Sequence, residues 1–174
     1  MTQISFCIKI TKEYQLQCSY IDKQNTQTII KLKNQDNDFY PLNISFEKNN
    51  INICENDTIG ISFIEDLIKE PQKYKLYDVK YLNEKYSLIS EVLFALIIHE
   101  FKLQIEKDNI ITQTIVQLPS ENKLLNQRIN ISLDAIGLPS IQLDENDQNE
   151  LNEYNYEDQG KLLHLLIQKK EQLT

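Results

Sequence analysis

Residues 86–143 read YSLISEVLFALIIHEFKLQIEKDNIITQTIVQLPSENKLLNQRINISLDAIGLPSIQL, and this stretch decides the fold. Apolar residues recur at every fourth position in its first part: Leu93, Ile97, Phe101 and Ile105. This spacing is typical of a helix with one buried face, so the opposite face is expected to be solvated. Ser87 is the predicted N-cap, and the helix is expected to end at 107–109.

The second part of the stretch predicts a strand, a helix and a second strand. Clustered β-branched residues at 110–118 favour a strand covered on both faces, which Pro119 ends. Ser120 is the predicted cap of a helix that carries Leu124, Leu125, Ile129, Leu133 and Ile136. Gly137 is placed as the residue after that helix, and 139–143 reads as a short extended segment. A unit of this kind predicts two parallel strands with a right-handed crossover.

The segment before this stretch predicts mostly strands. Alternating or clustered apolar residues indicate strands at 4–10, 14–21, 27–32, 42–46 and 51–53. A hairpin is predicted over 74–86, with its turn at Asn83–Glu84, and a short helix over 59–68. The sequence therefore predicts an α/β fold, in which a mixed sheet with an antiparallel meander and a βαβ unit is covered by helices.

Composition excludes several classes of function. The chain has 174 residues, a net charge of −8 and a pI of about 4.8. An acidic surface repels phosphate backbones, so nucleic-acid binding is not expected. Only 3 glycines are present, and most loops that cradle phosphate need glycine. There is no signal-peptide pattern and no apolar run of membrane length, so a cytoplasmic protein without a membrane partner is expected.

The end of the chain differs in composition from the first 143 residues. Residues 144–160 are acidic and predict a solvated linker, with a docking segment as the alternative. Residues 161–174 predict an amphipathic helix that either folds back on the sheet or contacts a partner. Its candidate partner contacts are Leu162, Leu163 and Leu166.

Side chains that could hold a metal are scattered. Cys7, Cys18 and Cys54 are widely spaced and favour buried free thiols over a metal or redox site. His99 and His164 each favour a structural or surface role over metal ligation. No metal site, cofactor site or nucleophile motif is predicted from the residues themselves.

Three stretches resemble a known family. They are Ile4–Tyr20, YPLNISF at 40–46, and 86–143 with its TIVQLPSEN and SLDAIGLPSIQL segments. In order and spacing they are similar to the first lobe of the nucleotide-binding domain of the seventy-kilodalton heat-shock chaperones, in the actin-like ATPase superfamily. The resemblance covers residues 1–143 and implies a ribonuclease-H-like, actin-like ATPase lobe.

The same alignment implies that the ATP-handling residues are missing. The family opens with a DLGTT loop, whose positions here hold Lys9, Ile10, Thr11, Lys12 and Glu13. The Asp that helps to place the metal is replaced by lysine, and the glycine is absent. Glu65 stands at the family's catalytic lysine. LDENDQNE replaces its NEPTAAA segment, and its second lobe is expected to be missing. The resemblance thus implies a degenerate pseudo-ATPase with no cofactor and no catalytic residues.

Three functions follow as expectations. The first is a non-catalytic protein-interaction module derived from a chaperone ATPase lobe. The second is a residual nucleotide-binding chaperone or co-chaperone that completes its cleft with a second chain, for example as a homodimer. The third is an architectural subunit of a larger assembly. A protein partner is expected in each of these cases.

Overall fold

The computed structural model describes residues 1–32, 37–47, 49–53, 60–63, 67, 75–119, 123–142 and 156–172, with the backbone alone at 123–125 and 156–160. The strands are β1 (Thr2–Ile10), β2 (Gln15–Ile21), β3 (Gln27–Ile29), β4 (Tyr40–Pro41), β5 (Asn43–Glu47), β6 (Asn50–Ile53), β7 (Ile61–Ser62), β8 (Tyr77–Tyr81), β9 (Glu84–Leu88), β10 (Asn109–Gln117) and β11 (Ile141–Gln142). The helices are α1 (Ser90–Glu106), α2 (Lys123–Ala135) and α3 (Tyr156–Gln172).

A mixed six-stranded sheet forms the centre of the fold. Its order is β11-β10-β1-β2-β3, and β4 pairs with β2 beside β3. β1 runs parallel to β10 and antiparallel to β2, and β10 runs parallel to β11. The predicted mixed sheet and parallel βαβ strands are therefore confirmed, and the fold is α/β.

Only one face of this sheet is buried in the core. Along β1, Ile4, Phe6, Ile8 and Ile10 are buried, whereas the residues between them are half-buried or exposed. β10 alternates in the same way around a bulge opposite Ile4 and Ser5. The prediction that residues 110–118 are covered on both faces is wrong, because only the inner face of the strand meets the core.

Helix α1 lies at the centre of the core. Every residue from Ser90 to His99 is buried, so the prediction of a solvated opposite face is wrong for the first ten residues. The helix contacts β10, β6, α2 and α3. Its N-cap is Ile89, not Ser87, which lies in β9 and donates a 2.6 Å hydrogen bond to Asp78 Oδ1. The C-cap at Lys107 agrees with the predicted end.

Gly137 ends α2 as the sequence predicts. Its φ is +80°, a region that glycine occupies without a Cβ penalty. The Gly137 amide donates to Asp134 O at 2.9 Å, and the Leu138 amide donates to Leu133 O at 3.2 Å. These two bonds form a Schellman motif, which turns the chain sharply from α2 towards β11.

Two small sheets cover the rest of the core. One has the order β6-β5-β7, and the other is the β8–β9 hairpin. The predicted helix over 59–68 is wrong at its start, because Ile61–Ser62 pairs with β5 as a strand. The hairpin turns at Leu82–Asn83, one residue earlier than predicted. Both residues have positive φ, 53° and 65°, as a type I′ turn requires.

The C-terminal helix folds back on the other two helices. α3 begins at Tyr156, five residues before the predicted boundary, and packs on α1 and α2. Leu163 is 1% exposed and Leu166 is 0% exposed, and both belong to the core. Among the described residues, no helix is both long and apolar enough to cross a bilayer.

Candidate functional site: a cleft at the strand ends and the outer face of the sheet

Residues 9–13, the predicted counterpart of a phosphate loop, lie in one cleft. The carboxyl ends of β1 and β10 meet at the same edge of the sheet, because the two strands are parallel. A cleft of about 510 Å³ lies there, lined by Lys9, Ile10, Thr11, Lys12, Glu13, Gln117, Leu118 and Pro119. Ligands in α/β folds often bind at such an edge, so this cleft is the first candidate site.

The β1–β2 loop at this cleft is a closed hairpin turn. The Thr11 amide donates to Gln15 O at 2.8 Å, and the Tyr14 amide donates to Thr11 O at 2.9 Å. The Thr11 hydroxyl accepts the Gln15 amide at 3.1 Å, and Tyr14 has a φ of 61°. Four residues, 11–14, therefore connect β1 and β2 in a tight loop with a left-handed last residue. The amides of Thr11 and Tyr14 hold the turn and do not point to a ligand.

The charges in the cleft are mixed. Lys9 and Lys12 are cationic, whereas Glu13 in the same loop is anionic. Phosphate sites combine cations with several free backbone amides, which glycine-rich turns supply. Glu65, the predicted counterpart of the catalytic lysine of the heat-shock chaperones, lies outside the described residues. Within the described part of the chain, no group of three or more His, Cys, Asp or Glu side chains is placed to hold a metal.

The second candidate site is the face of the six-stranded sheet that points away from α1, called the outer face below. Strand pairing places Ile115, Cys7, Ser19 and Ile29 in one row across β10, β1, β2 and β3. A shallow groove of about 410 Å³ runs over this row. This face was not predicted from the sequence, because residues 110–118 were expected to be covered on both faces. In β1, β2 and β10, glutamines and other polar residues alternate with apolar ones, and this pattern indicates a strand with only one face in the core.

The thiol in this groove is not an activated nucleophile. Burial raises the pKa of Cys7, and the hydrogen bond from Ser19 opposes that rise only in part. Burial also raises the pKa of Cys18, which lies on the inner face, well above its ordinary value. Both thiols are free. Reactive cysteines have lowered pKa values, so neither thiol has the chemistry of a catalytic residue. Cys54 lies outside the described residues.

A buried ion pair joins α1 to α2. Arg128 Nη2 donates to Glu91 Oε1 at 2.5 Å, and the two side chains are 2% and 1% exposed. Ser90 Oγ accepts from Arg128 at 3.0 Å and donates to Glu91 Oε1 at 3.0 Å. Sequence reasoning missed this cluster because no short-range motif marks two residues so far apart. It lies inside the core, where it links the first turn of α1 to the middle of α2.

The two histidines differ in their surroundings. His99 is 5% exposed, and burial, with Lys102 nearby, lowers its pKa. Burial raises the pKa of the adjacent Glu100. His164 is exposed on α3. These positions agree with the predicted structural and surface roles.

The predicted partner residues of α3 are mostly used within the chain. Leu163 and Leu166 are buried against the core, and Leu162 is half-buried. Lys169 Nζ donates to Glu84 Oε2 at 2.9 Å and to Tyr86 Oη at 3.0 Å, which fastens α3 to the β8–β9 hairpin. A partner would have to displace α3 to reach Leu163 and Leu166, so their role in partner binding stays a prediction.

No protein-family model matches the chain, and no curated protein sequence matches it.

Proposed function

We propose that the chain is a non-catalytic protein-interaction module derived from a chaperone-type ATPase lobe. The observation that carries this proposal is the β1–β2 loop. In the family that the sequence resembles, this loop cradles phosphates. Here the amides of Thr11 and Tyr14 close a tight hairpin, and Glu13 adds a negative charge beside the strand ends. The described sheet and helices nevertheless keep a continuous apolar core.

Nucleotide titration tests the proposal. The wild-type protein is titrated with ATP and with ADP, each with Mg²⁺, by calorimetry and by thermal unfolding. A ligand at a hundred times its dissociation constant stabilises a protein by about 2.7 kcal/mol. For a domain of this size, that corresponds to a rise of about 5–10 °C in Tm. We expect no binding heat and no rise in Tm.

A second candidate, residual nucleotide binding, is favoured by one observation. Lys9 and Lys12 line the same cleft as Thr11, at the strand edge where ligands often bind. Micromolar binding that Lys12→Ala abolishes and Lys161→Ala leaves unchanged would establish this second function. The same result would refute the first function. Lys161 serves as the control because it is exposed on α3 and does not line that cleft.

A further inference from the structure

The outer face of the six-stranded sheet has an unusual composition for this chain. Its strands contain no Asp or Glu, although the chain has 26 acidic residues. Lys9 is the one charged residue in these strands. Register places seven glutamines on the outer face: Gln3, Gln15, Gln17, Gln27, Gln113, Gln117 and Gln142. The face is therefore nearly uncharged, and its side-chain amides can both donate and accept hydrogen bonds.

We propose that the outer face is a docking surface for a second copy of this chain, which packs sheet to sheet about a twofold axis. This inference rests on the proposed interaction function and names its partner. Two copies with a net charge of −8 repel each other, so their contact is favoured where carboxylates are absent. The outer-face strands supply such a surface.

The chemistry of the face suits self-association. In a twofold interface the same patch serves both partners, so it must be complementary to itself. Glutamine meets this condition, because its side-chain amide carries both donors and an acceptor. Ile115, Ile29 and Ile21 are half-buried in the isolated chain, and a second sheet would cover their remaining apolar surface.

The size of the face sets the expected strength. The five neighbouring strands contain 9, 9, 7, 3 and 2 residues, which at a rise of about 3.3 Å per residue and a spacing of about 4.8 Å cover roughly 480 Å² per copy. The total of roughly 950 Å² lies below the range of stable specific interfaces and is typical of a transient one. We therefore expect a weak dimer, with a dissociation constant on the order of 10–100 micromolar.

Sedimentation equilibrium across concentration tests the proposal. The mass should rise from 20.5 kDa towards twice that value. Gln17→Lys places a second cation beside Lys9, its cross-strand partner, on each copy of the outer face, and we expect it to weaken dimerisation at least tenfold at low salt. Gln168→Lys is the matched control, because Gln168 is exposed on α3 and the net charge changes equally. We expect it to change the constant less than twofold.

A second pair of variants guards against misfolding of the first. Ile115→Lys should also weaken the dimer, whereas Leu165→Lys, at a 42% exposed position on α3, should not. Circular dichroism checks that all four variants fold. A protein that stays monomeric at several hundred micromolar overturns the inference. So does a dimer that the outer-face variant and its α3 control weaken equally, and so does a dimer that neither variant weakens.

These outcomes separate the inference from the proposed function. A monomer that binds no nucleotide would refute the dimer and leave a different protein as the occupant of the outer face. A dimer that binds Mg-ATP would refute the non-catalytic interaction function and leave the docking surface in place.

Discussion

Arg128→Met removes the positive charge of the buried pair between α1 and α2. Methionine keeps most of the volume of the side chain, so the main change is electrostatic. Glu91 then stays in the core with its partner gone, at 1% side-chain exposure. The perturbation therefore measures the cost of an uncompensated buried carboxylate.

The expected magnitude follows from the geometry. Arg128 Nη2 makes a 2.5 Å bond to Glu91 Oε1 and a 3.0 Å bond to Ser90 Oγ. Breaking a buried ion pair by removing one partner typically costs 3–5 kcal/mol. We therefore expect Arg128→Met to lower the free energy of unfolding by about 3–5 kcal/mol. Glu91→Leu should cost a similar amount, because it strands the guanidinium.

The double variant separates charge from packing. When Arg128→Met and Glu91→Leu are combined, no uncompensated charge is left, and apolar replacements of a buried pair are often neutral or stabilising. We expect the double variant to be more stable than either single variant, with a coupling energy of at least about 2 kcal/mol.

Urea unfolding followed by circular dichroism gives each free energy, provided that the m-values agree. Lys31→Met is the control, because Lys31 pairs with Asp38 at 3.7 Å and the two side chains are 45% and 50% exposed. It should cost less than about 1 kcal/mol. Single-variant losses below about 1 kcal/mol, or strictly additive effects in the double variant, would refute the assignment of Arg128–Glu91 as a coupled buried pair.

Three further outcomes are expected. Gly137→Ala should cost about 1 kcal/mol in urea unfolding, because φ is +80° although space for a Cβ is open. His99 has a lowered pKa, so stability should fall as the pH drops below 6.5, where the unfolded chain binds the proton first. His99→Leu should flatten that slope. Leu166→Ala should cost about 2–5 kcal/mol and Lys169→Ala less than about 1 kcal/mol, because burial and not the exposed ion pair with Glu84 holds α3.

Local signals predicted the elements that local physics controls. Gly137 ended α2 as expected, because the residue after a Schellman turn must adopt positive φ. The parallel strands on either side of α2 followed from the length of the strand–helix–strand unit. Alternation of apolar residues located β1, β2, β5 and β6 within a few residues, since one face of each strand meets the core.

Long-range pairing overrode local signals elsewhere. Ser87 suits an N-cap, but its hydroxyl donates a hydrogen bond to Asp78 across the hairpin. The N-cap is Ile89, two residues after the predicted one. Ile61–Ser62 fitted a helical pattern, but an open position beside β5 draws it into a sheet. Propensity is a weak prior in both cases, because tertiary partners contribute more free energy than the local preference.

The candidate sites divide in the same way. Residues 9–13 are contiguous, so their shared location was visible from the sequence. Their neighbours at 117–119 join them because β1 and β10 are parallel. The pairing of Glu91 with Arg128 depends on the packing of α1 on α2, which no periodicity encodes. The open outer face also depends on where every helix packs, and only the structure provides this.

The distribution of carboxylates separates two interpretations of the acidic composition. A net charge of −8 that served solubility alone would spread over the whole surface, outward-facing strand positions included. The six-stranded sheet has no carboxylate in its strands, and glutamine is frequent at the outward positions. Glutamine has nearly the shape of glutamate but no charge, so a face rich in glutamine is less well solvated and does not repel an approaching acidic surface. Charge is thus reduced where association is geometrically easiest, and this favours a protein partner at the sheet over an anionic ligand.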